Sequence, residues 1–161
     1  LMALLFQRPG ELRFAERPEF DLGEAVWTIP ASRMKMRREH AVPLPRQALT
    51  LLKNLRETHD RSPLLFPSLR SASRPISEVT MNAALRRLGY AKHEMTPHGF
   101  RAAASTLLNE SGKWSRDAIE RALAHQEQNA VRRAYARGEH WAERVEMAQW
   151  WADYLDMLRT N

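Results

Sequence analysis

The chain has 161 residues, 43% of them apolar, a formal net charge of +6 and a pI near 10.3. That length suits one globular domain with a real core, and the basic balance points to a polyanionic partner, most simply nucleic acid. Cysteine is absent, which excludes disulfides and thiolate metal sites and fits a reducing, cytoplasmic compartment.

The apolar opening over residues 1–6 is too short to span a bilayer and has no charged leader, so no membrane role is expected. The pattern opens in mid-element at Leu1, and the chain reads as a fragment of a longer protein. Residues 1–12 read as the end of a helix, with Pro9 and Gly10 marking a break or a tight turn. Val26-Trp27-Thr28-Ile29-Pro30 and Ala41-Val42-Pro43-Leu44 read as two short strands, and Pro43 confines the second to an edge or a strand end. Between them Arg33, Lys35, Arg37 and Arg38 stand against the single acid Glu39, as a solvated hairpin or as a grip on phosphates. Leu49, Leu52 and Leu55 recur at helical spacing through residues 46–58.

Residues 61–75 hold Pro63, Pro67, Pro75 and several serines and are expected to be loop. Beyond them the pattern is nearly all helical. Ser77 is placed to cap a helix running to Leu88, where Gly89 ends it. Thr96, with Pro97 in the first helical position, starts another that runs to about Asn109 and stops near Gly112. Ser115 starts the next, which ends around His125, and Asn129 starts a short one ending at Gly138. A long last helix covers residues 141–158. The class is mainly α with a small antiparallel β-hairpin or sheet (α+β), in a single domain over residues 1–161.

His98 and Arg101 lie one turn apart near a helix N-terminus, beside a core face of Phe100, Ala104, Leu107 and Leu108. Backbone N–H groups and the helix dipole favour an anion there, and a guanidinium binds two oxygens of one phosphate as lysine cannot. Taken alone, the pair reads first as a capping turn with a surface histidine and a surface arginine. By itself His125 reads first as a helix-end residue suited to the dipole, and Tyr135, within Arg132-Arg133-Ala134-Tyr135-Ala136-Arg137, first as a half-buried tyrosine. Positive neighbours would also favour a phenolate nucleophile. Arg8 could be a helix-end arginine paired with Glu11, and Lys35 an exposed hairpin lysine.

Taken in order, Arg8, Lys35, His98, Arg101, His125 and Tyr135 resemble the catalytic set of the tyrosine recombinases, the phage integrase family. Arg8-Pro9-Gly10-Glu11-Leu12 resembles that family's first arginine motif. Met34-Lys35-Met36-Arg37-Arg38-Glu39-His40-Ala41-Val42-Pro43-Leu44 is similar to its lysine hairpin. Thr96-Pro97-His98-Gly99-Phe100-Arg101 resembles the second arginine box, and Leu123-Ala124-His125 ahead of Tyr135 the last. The likeness covers nearly the whole chain and looks closest to prophage integrases.

The resemblance implies a tyrosine-recombinase catalytic domain without its upstream DNA-binding domains. It implies site-specific cleavage and rejoining of double-stranded DNA at attachment sites, with no metal, ATP or other cofactor. Tyr135 would form a 3′-phosphotyrosine, Arg8 and Arg101 clamp the phosphate, and Lys35 protonate the leaving oxygen. His98 would handle the tyrosine proton, and His125 add a phosphate hydrogen bond. Arg33, Arg37, Arg38, Arg132 and Arg133 are the expected DNA-backbone contacts. The last helix carries one stripe of Trp141, Val145, Ala148, Trp151, Leu155 and Leu158, and another of Met147, Trp150, Tyr154 and Met157. It either docks on its own core or, as the resemblance implies for residues 140–161, packs on a neighbouring protomer in a tetramer on DNA. The rival readings are a non-catalytic basic DNA-binding module, an inactive prophage remnant and a metal-dependent phosphohydrolase using His98 and His125.

Overall fold

The structure, a computed structural model, describes residues 1–34, 37–58, 62–125 and 140–160. Alternation along β2 (Val26–Ile29) turns Trp27 and Ile29 inward, both fully buried. β2 pairs antiparallel with β1 (Phe20–Asp21) on one side and β3 (His40–Pro43) on the other. Register places Phe20 opposite Trp27, and their rings stack at 5.1 Å. Pro43 ends an edge strand, where its missing N–H spoils no ladder bond.

The opening is two short helices rather than one helix end. α1 (Met2–Leu5) closes on Phe6, which takes a left-handed conformation with φ 41, and α2 (Pro9–Arg13) restarts at Pro9. α3 (Arg46–Thr58) follows the leucine spacing. Three of the four expected caps fall in the described residues, and all three are made. Ser77 accepts from Thr80 N ahead of α4 (Glu78–Arg87), Thr96 from Gly99 N ahead of α5 (Pro97–Glu110), and Ser115 from Ala118 N ahead of α6 (Arg116–Ala122). Gly89 and Gly112 follow α4 and α5 with φ 95 and 62. Within residues 61–75, expected to be loop, β4 (Pro67–Ser68) and β5 (Ser71–Pro75) instead pair as an antiparallel hairpin. Its side chains are mostly exposed, so no alternation of apolar residues announced it. The expected helix around Asn129 to Gly138 lies outside the described residues.

Two apolar clusters hold the fold. One joins the sheet to α1 and α3 through Leu5, Trp27, Ile29, Val42 and Leu52. The other joins α5, α6 and α7 (Trp141–Thr160) through Phe6, Ala104, Leu108, Ile119, Met147 and Trp151. Leu5 belongs to the first and Phe6 to the second, so the left-handed turn after α1 links them.

α7 docks on its own chain. Trp151 is 2% exposed, donates Nε1–H to the Ala3 carbonyl at 2.8 Å and meets Phe6 edge-on at 6.2 Å. The buried face is Arg144, Met147, Ala148, Trp151 and Ala152, which falls between the two expected stripes, while Val145, Met157 and Leu158 are exposed. Arg46 and Gln47 of α3 bond Gln149, Asp153 and Asp156 along the helix's outer edge. Among the described residues no helix is long and apolar enough to cross a membrane.

Candidate functional site

Arg8 is fixed by the chain beside it. It caps α2, its backbone N–H donates to Glu11 Oε2 at 2.9 Å, and its Nη1 donates to Glu11 Oε1 at 2.8 Å. Glu11 is buried, so one carboxylate holds both ends of the arginine, whose side chain stays one-third exposed.

Arg101 reaches inward from α5, near enough for the Arg8 charge to act on it. The side chain is 9% exposed, and Nη1 donates to the Phe6 carbonyl at 3.2 Å while Nη2 donates to the Leu123 carbonyl. Those carbonyls belong to the residues that close α1 and α6, where helix ends leave acceptors unused. Burial, and then the nearby Arg8 charge, push Arg101 down to about 10, against the pull of Glu11 and Glu120. It therefore stays charged at neutral pH, and a guanidinium has further N–H groups beyond the two these carbonyls take.

The end of α6 brings in His125. The helix stops at Ala122, short of the expected end, and Ala124 takes φ 49. Ala124 N donates to the Arg121 carbonyl and His125 N to the Glu120 carbonyl, the paired bonds of a Schellman turn made here without glycine. His125 emerges exposed, with Nδ1 2.8 Å from Glu120 Oε2. Arg101 bonds the Leu123 carbonyl, so the same turn that presents His125 anchors the arginine. His98 is exposed on the first turn of α5, one turn before Arg101.

The basic stretch divides. Arg33 is tied into the fold, paired with Glu19 and donating to the Glu11 carbonyl at 3.3 Å. Arg37 and Arg38 are exposed, Arg37 in a left-handed conformation at φ 49. Lys35, Arg132, Arg133 and Tyr135 lie outside the described residues. Among the described residues, no group of three or more His, Asp or Glu side chains is spaced to hold a metal ion.

Two buried polar residues close to this site escaped the sequence reading. His40 and Arg144 are 9% and 8% exposed, and Arg144 Nη2 donates to the Ala41 carbonyl. The signals were present: His40 alternates in phase with buried Val42, and Arg144 precedes Met147, Ala148 and Trp151 at helical spacing.

Solved structures share this architecture. An integrase from mycobacterium phage Brujita superposes with a TM-score of 0.67 at 20% identity, over 92% of this chain and 49% of that one. The XerA recombinase superposes with a TM-score of 0.62 at 20% identity, over 86% and 54%. The fold is therefore that of tyrosine-recombinase catalytic domains. In sequence, the phage integrase family matches residues 1–140, and the chain belongs to that family. The integrase of Enterobacteria phage P4 is 50% identical over 100% of this chain and 40% of its own length. Putative protein IntB of Escherichia coli (strain K12) is 44% identical over 99% of this chain and 44% of its own length. The chain thus spans under half the length of these relatives. The Tn1549 transposon integrase, solved in complex with circular intermediate DNA, superposes with a TM-score of 0.59 at 15% identity, over 91% of this chain and 55% of that one.

Proposed function

We propose that this chain is the catalytic domain of a site-specific DNA recombinase of prophage type, which cuts and rejoins DNA through a tyrosyl intermediate. The observation that carries the reading is the convergence of distant segments. Arg8 lies close enough to depress Arg101, and Arg101 is bonded to the turn that presents His125. Two guanidiniums beside each other with only partial carboxylate compensation suit an anion with several oxygens.

In this reading Tyr135 Oη attacks the scissile phosphorus, the P–O5′ bond breaks, and a 3′-phosphotyrosine forms. Arg8 and Arg101 hold the non-bridging oxygens and offset the charge of the pentacoordinate transition state. Lys35 gives its proton to the departing 5′-oxygen, and His98 takes the proton from Tyr135. His125, oriented by Glu120, donates a further hydrogen bond to the phosphate. Attack by the 5′-hydroxyl of another strand reverses these steps, so the bond energy is kept and no metal or ATP is required. Arg37 and Arg38, with Arg132 and Arg133, hold backbone phosphates of double-stranded attachment-site DNA, while Arg33 braces the hairpin against Glu19. Assembly on DNA is as a tetramer, in which α7 leaves the intrachain seat it occupies in the free chain and residues 140–161 pack on a neighbouring protomer.

The test is covalent trapping with the full-length protein on DNA carrying its attachment site, read as a protein–DNA adduct that survives detergent. The wild type should form the adduct with or without chelator, and Tyr135→Phe should form none. An adduct that persists in Tyr135→Phe, or salt-sensitive binding with no adduct in any variant, would refute the reading.

A further inference from the structure

His40 is a buried side chain that the mechanism above leaves unused. It opens β3 at the base of the basic hairpin, opposite Ile29. It is 9% exposed, and its Nε2 is buried with no hydrogen-bond partner among the described residues. An apolar residue would fill this inward-facing strand position without leaving a ring nitrogen open, so packing alone does not account for a histidine.

Groups from several elements lie near enough to act on it. Arg8 precedes α2, Arg101 projects from α5, Arg144 from α7, and the Ala122 carbonyl ends α6. The Ala122 carbonyl also accepts Gln7 Nε2 at 2.9 Å, and the next carbonyl along, that of Leu123, accepts Arg101. Arg144 is held in turn by the carbonyl of Ala41, beside His40. The hairpin base and the α6 turn that anchors Arg101 therefore adjoin at this imidazole, with Arg101 and Arg8 near enough for their charges to bear on it.

We propose that His40 is a positioning residue for Arg8 and Arg101, seating β3 against the turn that ends α6 and so holding the two guanidiniums at the spacing one phosphate needs. This rests on the phosphate-clamp reading of the preceding section. The ring's charge state is consistent with that task. Burial, then Arg144, push its pKa down to about 3, with Arg101 and Arg8 adding to the shift and the Ala122 carbonyl opposing it. A protonated ring would set one more cation among three guanidiniums and drive them apart.

The test uses the full-length protein with inorganic sulfate as probe, measuring sulfate affinity and unfolding temperature for each variant. Arg101→Lys is the control: if it leaves sulfate affinity unchanged, the phosphate-clamp reading fails and this proposal falls with it. With that control satisfied, His40→Asn, which keeps a neutral hydrogen-bonding group, should retain affinity within about twofold, and His40→Leu should lose about tenfold or more. The loss in His40→Leu should come without a lower unfolding temperature than His40→Asn. Equal affinity in the two variants, or affinity that simply follows unfolding temperature, overturns the proposal alone. In the wild type, the His40 Cε1–H resonance should hold still between about pH 5 and 8 and move when sulfate binds. A titration at the ordinary histidine value, or indifference to sulfate, would equally overturn it.

Discussion

Replacing Trp151 tests whether α7 belongs to the chain that carries it. The side chain is 2% exposed, bonds the Ala3 carbonyl at 2.8 Å and packs on Phe6 at 6.2 Å and Tyr154 at 5.8 Å. Trp151→Ala removes a large buried ring in a region closed by α1 and α6, which should cost about 3–5 kcal/mol. For a chain of this size that is a fall in melting temperature of roughly 6–20 °C. Trp151→Phe keeps an aromatic ring and drops the hydrogen bond, so its loss should be smaller, about 1–3 kcal/mol. The assay is thermal unfolding followed by tryptophan fluorescence and circular dichroism at protein concentrations spanning about a hundredfold. Docking within one chain makes each melting temperature independent of concentration, whereas docking on a neighbour makes it rise with concentration. The reasoning is refuted if Trp151→Ala loses under about 1 kcal/mol, or if its loss disappears at high concentration.

Three further outcomes follow from named contacts. Arg101→Lys should slow adduct formation by about 10²–10³, because one ammonium cannot serve both the Phe6 and Leu123 carbonyls and a phosphate; single-turnover trapping reads the rate. Burial raises the Glu143 carboxyl, but the Ser115 N–H and hydroxyl and the His140 ring outweigh it and hold the pKa below its ordinary 4.5. A carboxyl with a lowered folded pKa stabilises the fold above its ordinary value and loses that contribution as pH falls through the lowered one. Glu143→Gln should therefore flatten the acid limb of the stability curve below about pH 5, measured by urea unfolding at stepped pH. Replacing Arg37 and Arg38 together by alanine should reduce the slope of log affinity for duplex DNA against log salt by roughly 2, read by fluorescence anisotropy.

Local chemistry was legible in the sequence wherever one residue decides the outcome. Ser77, Thr96 and Ser115 each begin a helix because a side-chain oxygen beside a helical run can take an orphan N–H. Arg8, Arg101 and His125 were nameable from motif spacing; Arg8 and His125 are oriented by groups only a few residues away, whereas Arg101 is anchored by the distant Phe6 and Leu123 carbonyls. Less visible was anything set by distant packing. The hairpin of Pro67–Ser68 and Ser71–Pro75 lacks the usual strand formers, and nothing in its composition separates it from loop. The face that α7 buries was misjudged because Trp141 and Val145 look more apolar than Arg144. Yet Arg144 stacks its guanidinium 5.3 Å above the Trp141 ring and turns its charge onto a strand carbonyl.

The fold uses two ways of accommodating arginine, and the difference bears on function. Arg8 and Arg33 sit against Glu11 and Glu19, whose carboxylates offset part of their charge inside the protein. Arg101 and Arg144 are more deeply buried and are bonded to backbone carbonyls instead. Carbonyls meet the need for hydrogen-bond acceptors without cancelling the charge, and both guanidiniums are held near 10, lowered first by burial yet still cationic. A buried, partly compensated cation is unfavourable for stability in the absence of a partner. That penalty falls when an anion binds beside it, so in the proposed clamp free energy withheld from folding becomes available to phosphate binding. Placing Glu or Asp within reach of Arg101 would reverse the arrangement, giving a more stable chain with a weaker clamp. On the proposed reading, the carbonyl-anchored Arg101 is thus the residue in which folding and phosphate binding are most directly opposed.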